Sequence, residues 1–208
     1  MDFKKITIQS YDQTATEYSS NVNSFTILPE LDIFTNLIFE NGKILDLGCG
    51  PGHHSKYFAD LGFDVTGIDL SEKMIGIARK NFKNIDFQIM DIENLIFTKN
   101  SFDGIWASAS LLHIEKKNLP IVLLKLKEIL KNNGILYISL KLGFGEQLIQ
   151  DNRYSDVFKF YSYFQNLEIE KFVNNCNLNI FESRLVDQRN EYDTNSWIHI
   201  FIKKTNDN

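Results

Sequence analysis

The residues in this chain best placed to do chemistry are three glycines at alternate positions, 48, 50 and 52, with a carboxylate just before them at Asp46. Glycines in that spacing let the backbone take positive φ and let a ligand lie against bare main chain. A second carboxylate, Asp69, lies about twenty residues further on, where an acid is placed to accept both hydroxyls of a ribose. A third, Asp91, closes another apolar stretch. The glycines alone would signify only a tight turn; the acid at 69 adds the expectation of a ligand. Three acids at three strand tips point to one extended polar ligand, because open α/β sheets bind ligands outside the carboxyl ends of their strands.

Those residues need elements to hold them. Lys43-Ile-Leu-Asp-Leu-Gly-Cys-Gly-Pro-Gly52 reads as a buried strand running into a tight turn, apolar on both faces as a parallel strand covered by helices requires. From His53 the spacing of Tyr57, Phe58 and Leu61 predicts a helix, whose first amides are then free to face a ligand. Phe63 to Asp69 is a second strand, and Ser71 caps a helix carrying Met74, Ile75 and Ala78. Ile85 to Met90 is a third strand, delivering Asp91-Ile92 to the same end. Phe102 to Ala107 is a fourth, followed by Ser108-Ala-Ser-Leu-Leu-His113. A helix over 118–131, with Pro120 in its first turn and Gly134 as its stop, leads to a fifth strand, Ile135 to Leu140. Beyond Gly145 an aromatic run, 154–164, precedes a helix near 167–175 and two strands, 178–186 and 196–202. The polar loop from Asp187 to Asn195 joins those strands as an antiparallel hairpin at the sheet edge, and the chain frays after Lys203. Ahead of the first strand, Ser10 and Gln13 form a capping box opening one helix, and a second runs from about Pro29 to Phe39. These two either cover the glycine turn or add an outer layer. Tyr11 and Tyr18, on one face of the first, either pack with hydroxyls in water or face the ligand.

Composition bounds the partners. With 208 residues, 43% of them apolar, the chain is large enough to bury a core as a single domain. We divide it into N-terminal helices (1–40), a ligand-binding core (43–140), and an acceptor-side insert with C-terminal hairpin (141–203). A net charge of −5 and pI near 5.4 argue against a broad nucleic-acid surface. Two cysteines, one in the glycine turn and one remote, suggest a reducing compartment. No uncharged run approaches a membrane span, so the expected location is cytoplasmic, with no membrane partner.

The strand, glycine loop and helix, followed by acidic second and third strand tips and a terminal hairpin, resemble the class I S-adenosylmethionine-dependent methyltransferases over residues 5 to 203. Ile44 to Gly52 carries the most specific part of the resemblance; Val65 to Ser71, Asp91-Ile92 and Ser101 to Trp106 match later motifs in order. The implied fold is α/β: a Rossmann-like, doubly wound seven-stranded sheet with only the last strand antiparallel. Tyr11-Asp-x-x-Ala-x-x-Tyr18 looks like the helical lid of the small-molecule branch. By position, the resemblance implies S-adenosylmethionine as cofactor. Asp46, Gly48 and Gly50 would surround its methionine portion, with Tyr18 above; Asp69 would hold the ribose. Leu70 and Met74 would flank adenine, Asp91 and Ile92 would meet its amino edge, and Ala107 and Ser108 would line the methyl side.

A nicotinamide-dependent dehydrogenase is the rival. Its fingerprint needs a third glycine at 53, where this chain has His53, and its pyrophosphate is poorly served by an acid as near as Asp46. For the methyl acceptor, Ala107-Ser-Ala-Ser110 lacks the Asn/Asp-Pro-Pro-aromatic box of amino-group methylation on adenine or glutamine, and no thiol is placed for cytosine chemistry. Glu115 and Asn118 are too thin a set for a metal, so none is expected. A small-molecule acceptor remains, in a pocket of Lys141 to Arg153 and the aromatic run, with Arg153 available for an anionic group. His113 is the candidate base, although its apolar setting equally suits a structural hydrogen bond. A regulatory module that binds the cofactor without turnover, or an enzyme acting on protein or RNA, are the alternatives. Oligomeric state is left open.

Overall fold

The computed structural model describes residues 1–22, 29–154, 157–187 and 195–205. In chain order the elements are α1 (Phe3–Val22), α2 (Pro29–Asn36), β1 (Lys43–Leu47), α3 (His53–Asp60), β2 (Asp64–Asp69), α4 (Glu72–Asn81), β3 (Asp86–Ile89) and β4 (Phe102–Ser108). They continue with α5 (Leu119–Ile129), β5 (Leu130–Lys141), β6 (Glu146–Gln150), β7 (Phe158–Ser162), α6 (Asn166–Asn175), β8 (Asn179–Asp187) and β9 (Ser196–Lys203). Seven strands form one sheet in the order β3-β2-β1-β4-β5-β9-β8, the first five mutually parallel. Because β9 runs antiparallel to both β5 and β8, it is the one reversed strand, as expected.

The two faces of the sheet are covered by different helices, and the two-residue period of the strands sorts side chains between them. Ile44, Val65 and Trp106 pack with Leu31 and Phe34 of α2 and Phe58 of α3 on one side. Leu45, Leu47, Ile68 and Ile105 pack with α5 and α6 on the other. This double coverage explains why β1 is apolar throughout. Strand order reverses at β1, whose neighbours β2 and β4 lead in opposite directions, so the crevice for a ligand lies at the carboxyl end of β1.

Four expectations need correction. First, α1 begins at Phe3 instead of Ser10: Asp2 Oδ1 accepts the Lys5 amide at 2.9 Å and caps the helix, leaving Ser10 in mid-helix with its hydroxyl buried and unpartnered. Second, Gly134 does not stop a helix. The α5 helix ends at Ile129, β5 starts at Leu130, and a register shift absorbs the residues up to Gly134, with Asn133 at φ 63°. Third, the aromatic run contributes strand β7, paired with β6 in a separate two-stranded sheet; Phe160, Tyr161 and Phe164 are buried while Phe158 is exposed. Fourth, Lys204, expected to lie in a frayed end, is buried and donates to the Leu130 carbonyl at 2.7 Å. Most of the predicted loop from Asp187 to Asn195 lies outside the described residues. Among the described residues no helix is long and apolar enough to cross a membrane, and no cluster of His, Cys, Asp and Glu is arranged to hold a metal ion.

Candidate functional site

The glycine loop is fastened from below and open from above. The amides of Gly48 and Cys49 both donate to the Ile68 carbonyl at 2.8 Å, fixing the loop to the end of β2. Asp69 completes the tie: its Oδ2 accepts the Gly50 amide at 2.9 Å and its Oδ1 the Ser71 amide at 2.8 Å. Burial pushes this carboxyl upward, opposed by those amide bonds. The glycines have separate reasons. At Gly48, φ 75°, an added Cβ would sit 2.5 Å from the Ser110 Cβ, so close packing forbids it. At Gly50, φ 53°, a Cβ would meet only the Tyr18 ring edge at 4.0 Å, so bare main chain faces open space.

That space is a cavity of about 150 Å³. Its floor is Gly48, Gly50, Asp69, Leu70, Met74, Asp91, Ile92 and Glu93; the tip of β4 adds Ser108, Ala109 and Ser110. Lys4, Thr7, Ile8, Tyr11 and Tyr18 of α1 form the roof, and His113 and Ile114 the far wall. Nine of the eleven expected ligand residues thus line one cavity: Tyr18, Gly48, Gly50, Asp69, Leu70, Met74, Asp91, Ile92 and Ser108.

Asp46 and Ala107 are the exceptions. Asp46 is 2% exposed, lies outside the cavity lining, and accepts the Ser55 hydroxyl at 2.6 Å. Burial raises its pKa to about 7, with the Ser55 bonds opposing. It supports the loop through α3 and does not present its charge to the cavity, so the expected rim of three carboxylates reduces to two. Ala107 is likewise fully buried, and Ser108 to Ser110 line the cavity in its place.

Asp91 is used heavily by the protein itself. It caps the 3-10 turn Ile92–Asn94 by accepting the Glu93 amide, and takes Lys4 Nζ at 2.8 Å and Asn94 Nδ2 at 2.9 Å. Despite its partial burial these donors hold it below the ordinary carboxylate range. Lys4 also pairs with Glu93. Further bonds seat α1: Asp12 accepts the Ser71 hydroxyl at 2.6 Å, and Thr7 Oγ1 accepts the Phe160 amide at 3.0 Å.

His113 sits on the 3-10 turn Leu111–His113, and both ring nitrogens are engaged. Nδ1 lies 2.7 Å from the Phe160 carbonyl and Nε2 2.9 Å from the Tyr11 hydroxyl. A carbonyl can only accept, so Nδ1 carries the proton and Nε2 accepts from Tyr11. Burial, with the nearby positive charges of Lys159 and Lys141, depresses its pKa to about 3. His113 is therefore a neutral ring whose Nε2 holds Tyr11 in place.

Other candidates lie apart. Arg153 donates from Nε and Nη2 to Asp151 at 2.8 Å each and does not line the cavity. His54 Nδ1 accepts the Trp106 indole N–H at 3.1 Å, so that histidine supports the sheet. His199 is a core partner, its Nδ1 2.6 Å from the Tyr137 hydroxyl. Residues that the sequence reading missed are Lys4, Thr7, Ile8, Glu93, Ala109, Ser110 and Ile114. The first three continue the helical spacing 4-7-8-11-18, a stripe visible only once the helix start at Phe3 is known. Ala109 adopts φ 52°, stabilised by its amide donating to Ser139 Oγ at 2.9 Å, a strained position that pattern alone does not signal.

A sequence-family profile described as "Methyltransferase domain" matches residues 44–134. A malonyl-[acyl-carrier protein] O-methyltransferase from Erwinia pyrifoliae is 36% identical over 102 residues, covering 49% of this chain and 38% of that protein. Across three such curated relatives the match spans 38% to 55% of the relative's own length. Among solved structures, a SAM-dependent methyltransferase from Methanosarcina mazei superposes with a TM-score of 0.78 at 21% identity, covering 87% of this chain and 99% of that one. A Burkholderia thailandensis 1,6-didemethyltoxoflavin-N1-methyltransferase, solved with 1,6-didemethyltoxoflavin and S-adenosylhomocysteine, gives 0.74 at 18% identity over 96% of this chain and 88% of that one. At those identities the structural likeness establishes the fold.

Proposed function

We propose that this chain is a class I S-adenosylmethionine-dependent methyltransferase and that it transfers a methyl group from S-adenosylmethionine to an oxygen, nitrogen or sulfur atom of a small molecule, a reading supported by the profile match over residues 44–134 and by the shared fold. One observation carries the reading: a single cavity at the carboxyl end of β1 gathers the bare main chain of Gly50, the Asp69 carboxylate and the apolar Leu70–Met74 wall. The residues fit the cofactor. Each Asp69 oxygen accepts one backbone amide and keeps acceptor capacity for a ribose hydroxyl. Leu70 and Met74 suit the adenine faces, Asp91 and Ile92 its edge, and Gly48, Gly50 and Tyr18 the methionine portion. The Ser110 hydroxyl, buried in the lining without a partner, is an orphan that a bound polar molecule would satisfy.

The sulfonium of the cofactor supplies an already activated methyl group for in-line displacement. The chain's own task is to align an acceptor with that group and exclude water, which the α1 roof does. His113 keeps the Tyr11 hydroxyl fixed at the acceptor wall, its own ring neutral throughout the physiological range.

Calorimetry with S-adenosylhomocysteine and with NAD tests the cofactor class: binding of NAD without S-adenosylhomocysteine overturns the reading. Incubation with labelled cofactor and a metabolite extract tests turnover. Binding without any label leaving the cofactor would favour the non-catalytic module. Presentation of the acceptor on a carrier protein, as the name of the Erwinia relative states for that enzyme, is the second reading, and a carrier-bound label would select it.

A further inference from the structure

Behind the wall formed by Tyr11 and His113 the protein buries positive charge. Lys159 has no exposed side-chain surface. Its Nζ lies 2.9 Å from Asp151 Oδ2 and beneath three tyrosine rings, 4.1 Å from the centroid of Tyr11, 4.9 Å from Tyr154 and 5.5 Å from Tyr18. Asp151 is shared, because the Arg153 guanidinium also binds it through both oxygens. On the other flank Lys141, 9% exposed, lies 3.9 Å from the centroid of Tyr161, whose ring stands 5.0 Å from that of His113. The opposite end of the cavity has the reverse balance, with Asp69 in the lining and Asp91 and Glu93 paired with Lys4.

An ammonium removed from water is costly unless opposite charge or well-placed dipoles compensate it. Three ring faces and half a share in one carboxylate compensate Lys159 in part, and in so dry a setting its field reaches through one layer of rings. An amine acceptor would be repelled from this wall, and a neutral one would gain nothing from it. We propose that the charge pattern selects methyl acceptors bearing a negative group, a carboxylate or a phosphate, seated against Tyr11 and His113 in the field of Lys159 and Lys141. This inference rests on the methyltransferase reading and names its substrate class.

The test compares benzoate and phenyl phosphate with benzyl alcohol and benzylamine, ring compounds of similar size, titrated by calorimetry into the full chain with and without S-adenosylhomocysteine. An anion should bind on the order of ten-fold more tightly than the alcohol, and the amine should bind least. Benzoate and phenyl phosphate distinguish the two anionic chemistries. Lys159→Gln should abolish the preference. A folded Lys159→Gln protein that keeps the preference is what a purely structural lysine would produce. If Lys159→Gln does not fold, Lys141→Gln carries the same test. Equal binding of alcohol and anion, survival of the preference in the lysine variants, or no anion binding at about 10 mM overturns the inference, about 10 mM being far weaker than a specific site needs. Failure of S-adenosylhomocysteine itself to bind sinks the methyltransferase reading instead.

Discussion

The two ends of the cavity are built on different principles. The floor at Asp69 is made almost entirely of main chain and short-range bonds: two amides on the Ile68 carbonyl, two on Asp69, and a serine cap on α4 within a stretch of 27 residues, 48 to 74. The far wall assembles side chains from distant segments, Tyr11 meeting His113 across 102 residues and Thr7 meeting Phe160 across 153. The floor is acidic and pairs with Lys4 of the roof; the wall is backed by buried lysines. A floor made of backbone geometry suits a ligand shared by many proteins, and a wall of side chains suits one that differs between them.

The largest effect should separate the two glycines of the floor. Gly48→Ala combines a left-handed backbone, about 1–2 kcal/mol, with overpacking against Ser110, about 1–3 kcal/mol, so urea unfolding should show a loss of about 2–5 kcal/mol. Gly50→Ala meets no close atom and should show only the backbone part, while S-adenosylhomocysteine affinity falls far more than stability does. Equal stability losses at the two positions would mean that Gly50 does not face open space.

Asp46 comes next, through pH. Its folded pKa, about 7, lies above the ordinary carboxylate value, so folding favours the protonated form. The stability from this group is full below about pH 4 and is lost as pH rises through 7, on the order of 4 kcal/mol in all. Asp46→Asn keeps an acceptor for Ser55 and should flatten that slope in denaturation curves taken from pH 4 to 8. An unchanged slope would place the carboxylate in water. Asp69→Ala should then weaken S-adenosylhomocysteine by about 1–3 kcal/mol, since it removes charge-assisted hydrogen bonds and loosens Gly50.

The same division explains what could be read from the residues alone. Floor residues were legible because their spacing is set locally: the helix after Gly52 and the serine cap at 71 follow from short-range rules. Asp46 was misplaced in depth, not in position, since a strand's pattern tells which face a residue takes and not whether another side chain covers it. Ser55 covers it, nine residues on. The far wall was hidden because β7 pairs with β6 and leans on α1, contacts set by tertiary packing. The helix start was misread because a capping-box pattern at Ser10 competed with a cap at Asp2, and the buried contacts of Lys4 to Tyr11 decided it.

On the wall, Tyr11→Phe removes the donor to His113 Nε2 and leaves a buried acceptor unpartnered, for about 1–2 kcal/mol of stability. In an Asp46→Asn background, which removes the carboxyl that titrates near 7, the activity profile should show no step near pH 6.5, because the His113 ring stays neutral down to about pH 3. A step near 6.5 in that background would make His113 a base.

The smallest effect concerns Lys4, the roof cation that pairs with the floor. Lys4 is 41% exposed in its side chain while it pairs with Asp91 and Glu93, and a pair so open to water contributes at most about 1 kcal/mol. Lys4→Met should therefore change stability within that limit, with a slight gain in tolerance to salt as a screened contact disappears. Its effect on binding is the more telling one. The roof is also seated by Asp12 on Ser71 and Thr7 on Phe160, so α1 should stay closed, and Asp91, released from its ion pair, should hold S-adenosylhomocysteine as tightly as before or better. A fall of ten-fold or more would instead put Lys4 in contact with the ligand, and the floor would then depend on a long-range side chain just as the wall does.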